Sequence, residues 1–276
     1  MTGRLVFTDL DGTLLDHHSY SFAPALPALE QLAQLGVPVI PTTSKTRAEI
    51  ESIRMALGNE HPFIVENGAA VFIPVGYFSS QPLGTVERDG YWIHERSLSR
   101  SHWLEHLAVL SHQYPGQFES FSSAGVDGIV AMTGLSSEAA RLANHREYSE
   151  PVRWLGSDDN KAEFVARLRQ KGANPLQGGR FLSVAGDCDK GRALVWLRQA
   201  FAEAWQIEQV ADLAAGDSGN DVAMLEAAQT ALVIRSPVND FPELKRTGDV
   251  IYSDAFGPAG WAKGVEHWLA STHSAS

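Results

Sequence analysis

"FTDLDGTLLD", residues 7 to 16, sets two aspartates, Asp9 and Asp11, two positions apart at the end of the apolar run Leu5-Val6-Phe7, with Gly12-Thr13 directly behind. A short apolar run closed by turn residues reads as a buried strand. An aspartate at a strand end, taken alone, most often caps a helix or shapes a turn. Two such ends elsewhere in the chain make that reading insufficient here. A second apolar strand, Val37 to Pro41, runs into Thr42, Thr43 and Ser44, and a later one, Val210 to Ala215, runs into Gly216, Asp217 and Ser218. In an open parallel sheet ligands bind at the carboxyl ends of the strands. Side by side, these three ends gather Asp9, Asp11 and Asp217 around one point. Carboxylates so crowded raise one another's pKa unless a cation lies among them. Hard oxygen donors in an incomplete protein shell favour Mg²⁺, which keeps waters and takes further ligands from a phosphate.

Working outward, strand and helix patterns alternate. Pro24 to Leu35 has helical apolar spacing with Gly36 placed to cap it, Thr46 to Leu57 forms a second helix before Gly58, and Phe63-Ile64-Val65 a third strand closing at Glu66-Asn67-Gly68. Strands separated by helices imply right-handed βαβ units and a parallel sheet. From about Thr85 to Arg180 aromatics alternate with polar residues, as in Tyr91-Trp92-Ile93-His94. That alternation suits half-exposed antiparallel strands, mixed with helices at 101–112, 136–145 and 158–172. The first style then returns, with a helix from Lys190 to Ala204, a short one from Asp221 to Ala228, and strands at 231–234 and 250–252. The expected architecture is α/β: a doubly wound parallel-sheet core formed by residues 1–84 and 185–276, with an α+β cap inserted at 85–184. The polar tail from Ser271 to Ser276 is expected to fray.

Composition narrows the function. The 276 residues carry a formal net charge of −11, against the basic face that nucleic acid or an anionic membrane requires. Asp9 and Asp11 interrupt the apolar N-terminal run, so it does not read as a signal peptide. No stretch approaches the ~20 apolar residues that span a bilayer. The single cysteine, Cys188, fits a reducing compartment. These features point to a cytoplasmic protein, a monomer or weak homo-oligomer, acting on a small molecule.

"DLDGTLLD" together with "GDSGND" resembles the haloacid dehalogenase superfamily of phosphotransferases. The resemblance implies that Asp9 is the nucleophile and Asp11 the general acid/base. It matches Thr43 in "TTSK" to the phosphate-binding hydroxyl and Lys190 in "DKGRAL" to the motif lysine. Asp217 corresponds to the metal-binding acid, supported by Asp221, and the large insert marks the subgroup with an α/β cap. "TSKTRAEI", "ENGAA", "REYSEP" and "FGPAGW" further resemble the mannosyl-3-phosphoglycerate phosphatases of that subgroup, which are Mg²⁺-dependent. Gly219 stands where that family has proline.

What the resemblance implies is a phosphoric monoester hydrolase for a sugar phosphate, mannosyl-3-phosphoglycerate first. Glucosyl-3-phosphoglycerate or sucrose phosphate hydrolysis, action on a flavin precursor, and hexose phosphomutation are the alternatives. The chemistry is coherent. An in-line carboxylate forms an acyl-phosphate, and a bound Mg²⁺ lets two anions approach. Asp11 supplies and later removes a proton, while Lys190 and Thr43 hold equatorial oxygens. A substrate bearing a carboxylate and a sugar needs cations and hydrogen-bonding groups. The candidates are Arg146, Tyr148 and Glu150 in "REYSEP", Arg180 before the return strand, and Lys45, Arg47, Asn67, Ser218 and Asn220 from the core. His102 and His106, four apart, lack the HExxH pattern of a zinc site and read as a solvated helix face.

Overall fold

Leu5, Val6 and Phe7 have no exposed surface, and the strand they form lies inside a parallel sheet of the computed structural model, which describes residues 3–178 and 180–273. In chain order the core begins with β1 (Gly3–Thr8), α1 (Leu26–Gln34), β2 (Val39–Pro41), α2 (Arg47–Leu57), β3 (Phe63–Val65), β4 (Ala70–Pro74), β5 (Val86–Arg88) and β6 (Tyr91–Glu95). Next come α3 (Arg100–Gln113), β7 (Phe118–Ser120), α4 (Phe121–Thr133), α5 (Ser137–Asn144), β8 (Glu150–Trp154), α6 (Asp158–Gln170), β9 (Leu176–Gly178) and β10 (Phe181–Val184). The core resumes with α7 (Lys190–Trp205), β11 (Val210–Gly216), α8 (Val222–Ala227), β12 (Thr230–Arg235), β13 (Val250–Phe256) and α9 (Gly257–His273).

The central sheet has the order β13-β12-β11-β1-β2, parallel at every pairing. Side chains of a strand alternate between faces, and β1 uses both. Val6 packs with Leu32, Trp261, Val265 and Trp268 under α1 and α9. Leu5 and Phe7 pack with Leu194, Leu197, Phe201 and Met224 under α7 and α8. Burial on both faces explains why the strand is apolar throughout. The doubly wound α/β core is as expected.

Two helix ends fix the geometry near the chemistry. Thr46 accepts from the Glu49 amide while Glu49 accepts from the Thr46 amide, a capping box that starts α2 just after the Thr42-Thr43 strand end. Asp189 caps α7, so Lys190 is its first residue.

The expected edge of the insert, at residue 85, falls within a sheet that adjoins the core. A backbone bridge from Thr42 to Ile64 continues the core sheet into β3, and β3, β4, β6 and β5 follow as an antiparallel extension. Trp92 of β6 packs with Ile64, Val71 and Leu194 in the same cluster as Phe7. β5 and β6 thus share a sheet with β3 and β4, and Trp92 shares a buried cluster with β1. Within it, β7-β8-β10-β9 form an antiparallel sheet. Its α3 and α6 side holds Trp103, Leu107, Phe164, Leu168, Val152 and Leu182. Phe121, Ile129 and Met132 of α4 pack with Ala140 and Ala143 of α5 and with Phe181. Of the tail expected to fray, residues 271–273 continue α9, and Ser274, Ala275 and Ser276 lie outside the described residues. No helix among the described residues is long and apolar enough to cross a membrane.

Candidate active site

Asp9 follows β1 directly, and its amide donates to Ala215 O of β11 (2.9 Å), which keeps it beside the strand that ends in Asp217. Lys190 Nζ reaches both sides of this junction. It donates to Asp9 Oδ1 at 2.6 Å and to Asp221 Oδ1 at 2.7 Å, with no exposed surface of its own. The second oxygen of Asp221 accepts the amides of Asp217 (3.0 Å) and Ser218 (3.1 Å). Asp221 thus holds the lysine with one oxygen and the Asp217 loop with the other. Gly12, at φ +78°, crosses so close that a Cβ there would lie 2.8 Å from Asp217 Oδ2, which explains the glycine behind the aspartate pair.

One oxygen from each of Asp9, Asp217 and Asp221 lies within 4.8 Å of the others, and all three residues are buried. Burial pushes the Asp9 carboxyl well above its usual range, opposed by the Lys190 ammonium and reinforced by Asp221, Asp217 and Asp11. Burial and Asp221 push Asp217 up to about 6, offset partly by Ser236 and Lys190. Burial lowers the Lys190 pKa, but Asp221 and Asp9 outweigh it and the pKa rises, so it stays an ammonium. A site with more carboxylate than lysine balances fits a divalent cation: Asp9 and Asp217 keep oxygens that Lys190 does not use, and Thr13 Oγ1 lies 3.5 Å from Asp217 Oδ1.

Asp11 departs from expectation. Its carboxylate stands outside the acidic cluster and pairs with Lys45 Nζ at 2.7 Å. Its other oxygen, Oδ1, is buried with no hydrogen-bond partner. The Asp11 side chain therefore lies beside the Asp9, Asp217 and Asp221 cluster and not within it. Thr43 is buried at the end of β2. Its hydroxyl accepts the Lys45 amide (3.1 Å), and its carbonyl accepts the Asn67 amide (3.0 Å). Asn67, Ser218 and Asn220 come together: Ser218 Oγ donates to Asn220 Oδ1 (2.6 Å), and Asn220 Nδ2 donates to Asn67 Oδ1 (3.1 Å).

Residues 6–83 match the family model for haloacid dehalogenase-like hydrolases, and residues 175–269 match that for sucrose-6F-phosphate phosphohydrolase. A glucosyl-3-phosphoglycerate/mannosyl-3-phosphoglycerate phosphatase of Methanococcoides burtonii is 34% identical over 262 residues, 95% of this chain and 96% of the relative. The chain is a haloacid dehalogenase-like hydrolase. A protein of the same description from Persephonella marina is 33% identical, covering 95% of each chain. The fold is shared with a Thermoplasma acidophilum protein (TM-score 0.65, 17% identity, 98% of this chain and 99% of that one). It is also shared with the sucrose-phosphatase of Synechocystis (TM-score 0.61, 13% identity, 98% and 99%).

Several residues expected as substrate ligands make contacts within the hydrolase itself. Tyr148 is 3% exposed, and its hydroxyl donates to Glu95 (2.8 Å) and accepts from Arg88 (2.9 Å). Glu150 has no exposure and accepts from Arg100 Nε (2.5 Å) and the Ser122 amide (2.6 Å). Arg146 donates to Ser44 O (2.8 Å) and Ser149 Oγ (3.0 Å) and lies 3.4 Å from Glu66, binding cap to core. Arg180 donates to Met132 O and Thr133 O at the end of α4, and Arg47 pairs with Glu147 (2.7 Å) and Asp89 (3.3 Å). In this structure the polar atoms of these five side chains, expected as substrate ligands, are engaged with other residues of the chain. Lys45 remains beside Asp11. Cys188, pushed up to about 12 by burial, is inert as a thiol.

Sequence reasoning missed two features of the hydrolase. Glu66 entered only as a strand end and as part of the "ENGAA" resemblance, and Ser236 had no signal at all. Ser236 lines a cleft of about 640 Å³ with Arg235, Asn239 and Phe256, at the carboxyl end of β12. Apart from Asp9, Asp217 and Asp221, no group of three or more metal-ligating side chains occurs among the described residues, which leaves His102 and His106 as a ring pair on α3.

Proposed function

We propose that this hydrolase is a Mg²⁺-dependent phosphatase that releases phosphate from glucosyl- or mannosyl-3-phosphoglycerate through an aspartyl-phosphate on Asp9. The observation that carries the reading is the Asp9 carboxylate at the carboxyl end of β1, 2.6 Å from a fully buried lysine and clustered with Asp217. The two relatives named for that substrate pair, aligned along 95% of the chain, support the choice of substrate.

Asp9 and Asp217 would hold the cation, which would supply charge neutralisation for the approach of an anionic nucleophile to a phosphate. The remaining steps belong to the chain. A carboxylate oxygen of Asp9 attacks phosphorus in line, the bond to the glycerate oxygen breaks, and Asp11 gives that oxygen its proton. Lys190 holds Asp9 in its attacking orientation, and Thr43 lies at the adjacent strand end where an equatorial oxygen arrives. Asp11, now ionised, takes a proton from the water that attacks phosphorus. The acyl-phosphate bond breaks, inorganic phosphate leaves, and Asp9 is restored. Lys45, 2.7 Å from Asp11, is a cation suited to the substrate's carboxylate.

The test is phosphate release from a panel of sugar phosphates with Mg²⁺ and after exhaustive chelation. The reading expects the two glycosyl-3-phosphoglycerates to lead the panel and activity to vanish on chelation. A panel led by another phosphate ester refutes the substrate; undiminished activity without metal refutes the mechanism.

A further inference from the structure

Three consecutive residues, Glu66, Asn67 and Gly68, adopt left-handed backbone conformations, with φ +50°, +59° and +89°. Two of them are not glycine, and such strain persists only where the surroundings over-determine it, typically beside functional sites. The surroundings here are the catalytic machinery. The Glu66 amide donates to Lys45 O (3.0 Å), the Asn67 amide to Thr43 O (3.0 Å), and Asn67 Oδ1 accepts from Asn220 (3.1 Å). A Cβ on Gly68 would lie 2.1 Å from Asp189 O, so the turn presses on the first turn of the Lys190 helix.

The Glu66 carboxylate points the other way, into the cap. It is 1% exposed and accepts the amides of Glu147 (2.8 Å), Tyr148 (3.2 Å) and Ser149 (2.7 Å) and the Ser149 hydroxyl (2.6 Å). Three successive amides closing on one carboxylate make an anion-binding concavity, and Arg146 adds its charge at 3.4 Å. The neighbouring ties converge on the same stretch. Thr46 Oγ1 donates to Leu142 O (3.0 Å), Arg146 donates to Ser44 O, and Ser97 Oγ joins Tyr148 O (3.1 Å) to the Gly186 amide (2.9 Å). On the far side of the cap, β9 comes alongside the Gly219–Asp221 turn.

We propose that Glu66 is a positioning residue that pins the cap at residues 147–149 and so sets where the cap lies over a glycosyl substrate. The same three-residue turn holds the phosphate-binding strand ends, so cap and catalytic centre share one reference point. Glu66 acts through the cap and touches no reacting atom. A substrate that fills the space between cap and core therefore depends on it, and a small ester held by the core alone does not.

The inference rests on the proposed phosphatase reading, and the experiment separates the two. Wild type, Glu66→Gln and Glu66→Asp are assayed on both glycosyl-3-phosphoglycerates and on p-nitrophenyl phosphate, with melting temperatures alongside. Glu66→Gln puts an amide donor against backbone donors and raises KM for the glycosyl substrate at least tenfold, while kcat/KM for the nitrophenyl ester stays within threefold. Glu66→Asp, which keeps the charge and loses reach, moves KM the same way by less. Hydrogen exchange at amides 147–149 is among the slowest of the cap in wild type and at least tenfold faster in Glu66→Gln. A lowered melting temperature with unchanged kinetics on both esters reduces Glu66 to a structural residue and overturns the proposal. So do equal losses on both esters, or rapid exchange at 147–149 in wild type. If wild type leaves the glycosyl-3-phosphoglycerates untouched, the substrate reading fails, and the same KM split on the best glycosyl phosphate of the panel decides the role of Glu66.

Discussion

Replacing Lys190 by methionine keeps the length of the side chain and removes the ammonium between Asp9 and Asp221. Both carboxylates are then buried with no cation beside them, at sites where Lys190 made contacts of 2.6 and 2.7 Å. Breaking a buried ion pair from one side costs about 3–5 kcal/mol. At about 2–4 °C per kcal/mol for a chain of this size, the melting temperature falls by roughly 6–20 °C. The loss depends on pH. Asp9, raised by burial and no longer countered by the ammonium, has a folded-state pKa above its unfolded one. Stability is then fully present below the unfolded value and lost as pH rises through the folded one. The deficit against wild type is accordingly larger at pH 8 than at pH 5. Mg²⁺ at millimolar concentration narrows it at pH 8 by supplying the missing cation. Thermal unfolding at both pH values, with and without Mg²⁺, measures all of this. A deficit under 2 °C at pH 8, or one that grows toward pH 5, refutes the account of Lys190 as the counter-ion of Asp9.

Asp9→Asn abolishes turnover, to below one part in about 10³ as expected for loss of the nucleophile, and keeps its circular dichroism spectrum; residual activity above a few per cent removes Asp9 from its role. Asp11→Asn loses at least about 10²-fold on a sugar phosphate and much less on a nitrophenyl ester, whose leaving group needs no proton; equal losses count against Asp11 as the acid. Because Asp217 is pushed up to about 6, protons compete with Mg²⁺ below that pH, so calorimetric affinity declines from pH 7 to pH 5 by about tenfold per unit at most for one proton displaced. Affinity independent of pH over that range contradicts the burial of Asp217.

The strand ends were legible because each is an apolar run that stops on residues with no packing role, and Asp9, Thr43 and Asp217 stand one step past burial on both faces. Their convergence required only that the strands be parallel neighbours. The insert's edge was not legible. The alternation at Tyr91-Trp92-Ile93-His94 identifies an antiparallel strand but is the same whether its partner is β4 in the core or a strand of the cap. Helix α4 was missed because Gly125 and Gly128 interrupt its pattern, and Gly125 does leave helical geometry at φ +64°. Helix α9 was missed for its three glycines, of which Gly264 lets it rest on Leu232. The charged stretch "REYSEP" looked like ligands for a substrate because the partners of Arg146 and Tyr148, at Ser44 and Glu95, lie far away in sequence. Partners so distant in the chain appear only in the folded structure, and one sequence does not display them.

The position of β1 also has a consequence for synthesis. Its flanking strands are β2, which follows within forty residues, and β11, whose register pairs Gly3 with Val210. A nascent chain can pair one edge of β1 early, but the other stays open until more than two hundred residues have emerged. Non-local pairing of this kind slows folding, and an open apolar edge exposes a chain to aggregation meanwhile. The inserted unit has its own sheet and its own buried clusters, so it can assemble while the first strand waits. Lys190 and Asp217 arrive only with the last third of the chain. Asp9 therefore meets Lys190 and Asp217 only late in synthesis, and a shorter nascent chain lacks the full acidic cluster.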